Sequence, residues 1–166
     1  MENVIDILRH SAIFRKLTDE QLKKIAAIAS VETHPAGAVL YREGDPAGKF
    51  YIVVEGKVAL DMQCDMGPNF PSRQVVVDVV AKGESMGWSA VVEPYIFTLS
   101  CLCLDRTELV AIDAVKLREI IDEDCGLGLA VMKAVAKMIA TRLTHTRVVL
   151  VGERALGIMT EHTQYA

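Results

Sequence analysis

The chain has 166 residues, enough for one domain with a real core and short for two. Its formal charge of −4 argues against a broad nucleic-acid footprint, which needs a basic face; it leaves room for a local basic patch, though none is visible in the sequence. No apolar run approaches a membrane span, and the opening MENVIDILRH carries Glu2 and Asp6 in a helical pattern, so neither a spanning helix nor a secretory signal is read and a cytoplasmic protein is expected.

Val4, Ile5 and Leu8 at helical spacing predict a short first helix. Thr18-Asp19-Glu20-Gln21 then has the form of a capping box, with Leu17 and Leu22 in staple positions, and predicts a helix over about 19–29. From Val31 the pattern changes to short apolar runs broken by turn residues: Ala38 to Tyr41, Phe50 to Val54, Lys57 to Leu60, Gln74 to Val80, Thr98 to Leu104 and Glu108 to Ile112. Glu55-Gly56 between two of these runs reads as a hairpin turn, and Met62 to Ser72 reads as a long loop because of Gly67, Pro68 and Pro71. Asp113 is placed to cap a helix AVKLREIIDE, and a last helix starts near Gly126 and runs toward Val151. The spacing predicts an antiparallel roll or jelly roll with helices at both ends.

The stretch GESMGWSAVVEPYIFTLS, residues 83–100, joins a glycine-flanked turn to a short apolar helix, Pro94 and a strand, an arrangement in which backbone N–H groups at a helix start hold an anion. Together with Gly37-x-x-x-Tyr41-x-x-Gly44-Asp45-Pro46-Ala47 and Phe50-Tyr51-x-Val53-x-x-Gly56-x-Val58, it resembles the cyclic nucleotide-binding domain of catabolite-activator and kinase regulatory-subunit proteins. The resemblance covers nearly all of residues 11–150. It implies a mainly β fold with α: an antiparallel β-roll, or double-stranded β-helix, with N-terminal helices, a short cassette helix and a long C-terminal helix. It also places a ligand site at Met86, Gly87, Trp88, Ser89 and Ala90 and at Ile96, Phe97, Thr98, Leu99 and Ser100.

On that resemblance the ribose-binding Glu falls at Trp88, and the phosphate-binding Arg falls at Ile96 or Phe97. The N–H groups of Trp88, Ser89 and Ala90 remain to meet an anion, with Ser89, Thr98 and Ser100 as hydroxyl donors. A second register, with Gly83-Glu84 as the Gly-Glu pair, restores the carboxylate, supplies no Arg and leaves Gly87 inside the short helix. Losing both charged partners costs on the order of a hundredfold to ten-thousandfold in affinity. The expectation is weak or absent binding of cyclic AMP or cyclic GMP in the family's usual manner, with Trp88 either walling a pocket for a less polar effector or filling the ribose site.

In the last helix Leu129, Met132, Ala136, Ile139, Leu143, Thr146 and Leu150 alternate steps of three and four, a heptad seam. Val131, Val135 and Met138 form a second stripe that packs on the barrel. The seam predicts a homodimer, with Thr146, Arg142, His145 and Arg147 helping its register. The expected division is 1–125 for helices and roll and 126–166 for the dimerisation helix and tail, with no DNA-binding domain in the chain as given.

Cys101 and Cys103 share one strand face and, with Cys64 and Cys125, read as reduced thiols, Cys101 and Cys103 being structural. The four histidines are scattered surface residues without metal spacing. Haem is conceivable in this fold, but no spacing here demands it. No nucleophile–base pair, P-loop or His-Glu-x-x-His is present, and Asp122-Glu123-Asp124 reads as a solvated helix cap. The expectation is a non-catalytic sensory module acting through its last helix, with no certain cofactor, no metal, a possible small-molecule effector, a possible protein partner, and neither nucleic acid nor membrane. The alternatives are a ligand-free dimerisation or adaptor domain and a cyclic-nucleotide binder with altered contacts.

Overall fold

The computed structural model describes residues 3–163 apart from 66 and 68–70 and, near the end of the last helix, side chains as far as Val148 together with that of Val151. Asn3 caps α1 (Val4–His10), accepting from the Ile5 N–H at 3.2 Å. The capping box predicted for α2 (Asp19–Ala26) is present in both directions: Gln21 N–H donates to Thr18 Oγ1 at 3.3 Å, and Thr18 N–H donates to Gln21 Oε1 at 3.1 Å. The helix stops at Ala26, short of the expected 29, because Ala29 already pairs with Ile112 as a strand residue.

Eight strands among the described residues form two antiparallel sheets of four. One has the order β1 (Ala29–His34), β8 (Thr107–Asp113), β3 (Lys49–Glu55), β6 (Ser85–Met86). The other has the order β2 (Val39–Tyr41), β7 (Ser100–Cys103), β4 (Lys57–Cys64), β5 (Arg73–Ala81). Side chains from both sheets share one buried cluster, including Phe50, Ile52, Leu60, Cys101, Leu109 and Ile112. This is the expected β-roll.

Two sequence expectations are corrected here. The runs either side of Gly56 do not form a hairpin: β3 pairs with β6 and β8, whereas β4 pairs with β5 and β7. One residue is too short for a two-residue hairpin turn, so the chain changes sheets instead. Gly56 makes that corner at φ 88°, where an added Cβ would stand 2.6 Å from Asp105 Oδ1 and 2.7 Å from the Arg106 carbonyl oxygen. The second correction concerns the loop expected over 62–72. Met62, Gln63 and Cys64 are strand residues paired with Val75, Gln74 and Arg73, and the rest of that expectation falls partly outside the described residues.

Asp113 Oδ1 accepts from the Lys116 N–H at 2.9 Å and starts α3 (Ala114–Glu123), as read from the sequence. Asp124 likewise caps α4 (Cys125–Thr163), accepting from Leu127 N–H at 2.9 Å. Gly128 lets α4 approach α3, since a Cβ there would lie 2.5 Å from the Ile121 carbonyl oxygen. The first part of α4 buries Leu127, Val131 and Val135 in the common core with Met138 packed beside them, which is the barrel-facing stripe that was expected. No helix among the described residues is long and apolar enough to cross a membrane.

Candidate ligand site

The cassette is built from β6 outward. Ser85 and Met86 pair with Ile52 and Tyr51, which brings the chain to Gly87 at φ 79°. A Cβ there would stand 3.1 Å from the Lys49 carbonyl oxygen, so glycine allows the turn to pass this close to β3. The predicted short helix is a single 3-10 turn, Trp88–Ala90. Its closing bond runs from Ala90 N–H to the Gly87 oxygen at 2.9 Å. The backbone cradle therefore shrinks from the three expected N–H groups to those of Trp88 and Ser89, because a 3-10 turn consumes the third. Arg118 of α3 braces the outside: its Nη1 donates to the Ala90 oxygen at 2.7 Å, and its guanidinium lies 4.3 Å from the centre of the Tyr95 ring. The Gly83-Glu84 register is excluded by its position, since Glu84 turns back to accept the Ala81 N–H at 2.8 Å in the β5–β6 connection.

Of the two candidates for the lost Arg position, only Phe97 enters the site. Its N–H donates to the Asp45 oxygen and its carbonyl accepts from Gly44, both at 2.9 Å, which holds the ring inward. The ring stacks on Tyr41 with centroids 3.6 Å apart and planes 12° from parallel, and Tyr41 in turn stacks on Tyr51 at 5.9 Å. Ile96 is corrected: it bridges Pro46 on the outside and is exposed. Met86 and Ala90 also leave the candidate lining, because both are fully buried in the core. Ser100 is already used, its Oγ accepting from the Glu43 N–H at 3.0 Å. Thr98 sits exposed at the rim, Ser89 is buried on the wall, and Trp88 is half-buried beside it.

The space left between Tyr41, Leu60, Trp88, Phe97 and Leu99 is about 20 Å³. That is room for about one water molecule, against roughly 300–1,000 Å³ for a typical ligand pocket. Burial pushes the Tyr41 and Tyr51 phenols far above their usual range, and it pushes the Cys101 thiol up to about 12. Cys101 and Cys103 are buried free thiols, with Cys101 Sγ 3.5 Å from Met86 Sδ, an apolar packing environment that disfavours the thiolate. Among the described residues no group of His, Cys, Asp and Glu is arranged to hold a metal.

Sequence reasoning missed Arg142 as a site residue. It was assigned to the helix seam, yet its guanidinium turns inward and lines the small cassette space. Nη2 donates to the Ser85 oxygen at 2.9 Å, and Nε lies 3.2 Å from Asp78 Oδ2. The signal was present: the barrel-facing stripe Val131, Val135, Met138 continues by a step of four to Arg142. Asp61, outside the lining of that space, is a buried acid that the sequence did not single out. It lies on β4 where the register shifts after Leu60, and its buried Oδ1 has no hydrogen-bond partner among the described residues.

The seam residues Leu129, Met132, Ala136, Leu143 and Thr146 are exposed on α4 and Ile139 is half-buried, while the side chain of Leu150 lies outside the described residues.

The model of the cyclic nucleotide-binding domain family matches residues 31–124, over half of the chain. The chain belongs to that family. A crystal structure of a Geobacter metallireducens GS-15 protein named for cyclic nucleotide binding is 32% identical, covers 86% of this chain and 99% of its own, and superposes with a TM-score of 0.73. The regulatory domain of Toxoplasma gondii PKA, solved with cAMP, shares the fold at 23% identity and a TM-score of 0.61, covering 71% of this chain and 43% of its own. Among curated proteins, the Drosophila melanogaster cGMP-dependent protein kinase, isozyme 1, is 23% identical over 128 residues. That match covers 76% of this chain and only 16% of the kinase. The fold follows from this membership.

Proposed function

We propose that this cyclic nucleotide-binding domain is a non-catalytic, cytoplasmic sensory module that binds cyclic AMP and cyclic GMP weakly or not at all in the family's usual manner. The observation that carries the reading is the Phe97–Tyr41 stack, which occupies the region where the cassette Arg is expected and leaves about 20 Å³. The two remaining cradle N–H groups have no cassette guanidinium to neutralise a buried phosphate. An effector would have to displace Phe97, and the exposed seam of α4 would pass the change to a second copy in a homodimer.

Calorimetric titration with cyclic AMP and cyclic GMP tests the first part, and micromolar binding of either overturns it. Sedimentation tests the second, and a monomer at tens of micromolar overturns the dimer. A ligand-free adaptor is supported by the same filled space. A cyclic-nucleotide binder with altered contacts is favoured by one observation, the Arg142 guanidinium on the pocket wall. In that reading Arg142→Met abolishes cyclic-nucleotide binding that the wild type shows.

A further inference from the structure

A larger groove lies away from the cassette space, between the α1–α2 connection, the β5–β6 connection and α4. Its volume is about 650 Å³. Ile13, Met138, Ala130 and Ala134 make an apolar floor, and the rim carries Arg15, Lys16, Lys133 and Lys137. None of these four cations has a carboxylate within ion-pair distance among the described residues. The two acids that line the groove are engaged: Asp78 pairs with Arg142, and Glu84 accepts the Ala81 N–H. Five basic residues against two acidic ones is the reverse of the whole chain, which has 18 Lys and Arg against 22 Asp and Glu. That leaves an excess of three positive charges round one concavity, and an anion in the groove relieves their mutual repulsion.

A second feature points to the same place. Ser85 lines the groove, is only 4% exposed, and its Oγ has no hydrogen-bond partner among the described residues. A buried hydroxyl without a partner is costly, and a small movement of the groove wall that admits a ligand oxygen would satisfy it. The Lys137 side of the groove points away from the α4 seam: at about 100° of turn per residue, Lys137 and Thr141 stand roughly 100° or more around the helix from Ala136 and Leu143, whereas Lys133 stands about 40° from Leu129, at the seam's edge.

We infer that this groove is a second ligand site, for a phosphorylated organic molecule of nucleoside-polyphosphate size: the phosphates between Lys133, Lys137, Arg15 and Lys16, the apolar body on Ile13 and Met138. Arg142 joins it to the cassette, because the same side chain lines both spaces. A ligand that draws the guanidinium from Asp78 and the Ser85 oxygen alters the wall of the cassette space, so the two sites are coupled through one residue.

The test is calorimetric titration of the full chain with ATP and with inorganic tripolyphosphate at low ionic strength. Both should bind, more weakly as salt screens the rim, and ATP more tightly than tripolyphosphate because of the floor. Lys133→Glu/Lys137→Glu should weaken ATP by about tenfold or more, as each charge-assisted contact is worth about that much. Arg15→Gln/Lys16→Gln, on a different element, should weaken it less. All four side chains are exposed, so the variants should melt as the wild type does. Absence of binding by both probes, or binding unaltered in both variants, overturns the site. Equal affinity for the two probes overturns the role given to the apolar floor. Phe97→Ala should still bind ATP, because Phe97 does not line the groove, which separates this result from any outcome at the cassette.

Discussion

Phe97→Ala tests the closure of the cassette most directly. The ring is 5% exposed and stacked on Tyr41 at 3.6 Å, so truncation removes a buried aromatic and one face of a stack. Buried Phe→Ala substitutions cost about 3–5 kcal/mol, and a stacked pair adds about 0.5–1.5 kcal/mol to what area alone accounts for. The site adjoins an existing space that connects to the rim at Thr98, so the new cavity can be wetted and the cost falls at the lower end, about 3 kcal/mol. For a domain of this size each kcal/mol is worth about 2–4 °C, so Tm should fall by about 6–12 °C in a calorimetric scan. The same scan with excess cyclic AMP should raise the variant's Tm more than the wild type's, since the cradle N–H groups are now reachable. A fall of less than about 2 °C would mean that Phe97 is not packed as a buried wall. An equal response of both proteins to cyclic AMP would mean that it does not close the site.

Arg142→Met keeps the stem and removes the guanidinium that ties α4 to Ser85 and Asp78. It should cost about 1–2 kcal/mol in urea unfolding and speed amide exchange in α4 beyond Met138; an unchanged midpoint refutes the tie. Gly56→Ala should cost at least about 2 kcal/mol, because it adds a steric clash to left-handed backbone, whereas Gly37→Ala, at φ 81° with nothing within 4 Å, should cost only about 1 kcal/mol. Equal melting of the two would refute the corner at Gly56. The Leu127 N–H, joined by Gln21, holds the Asp124 carboxyl below the usual aspartate range. A depressed folded value means that its contribution is present above about pH 3.9 and is lost as pH falls through the lower folded value. Asp124→Asn should therefore lower stability near neutrality and flatten the acid limb of the unfolding curve; an acid limb identical to the wild type's refutes the cap.

What could be read in advance was local. Thr18 and Gln21 reach each other within one turn of α2, so the capping box needed only four consecutive residues. Asp113 and the α3 sequence behind it were legible for the same reason. The stripe Val131, Val135, Met138 was visible because helical periodicity repeats within one element. Legibility failed where the answer depended on a partner far along the chain. The β3–β4 runs alternate like a hairpin, but Gly56 is a corner because Asp105 and Arg106 stand against it. Within the cassette, which of Ile96 and Phe97 faces inward depended on Pro46 and Asp45 holding that segment.

The sequence alone therefore determined the roll, its flanking helices and the absence of an Arg at the cassette, since periodicity, capping and composition act over a few residues. The tertiary structure decided whether the site is open, where Arg142 points, and that an acidic chain gathers five cations round one groove. Those outcomes depend on long-range packing, in which a helix after residue 125 is laid against a connection before residue 20 and a turn near residue 83. Charge converges there through space, and no spacing along the chain encodes that convergence.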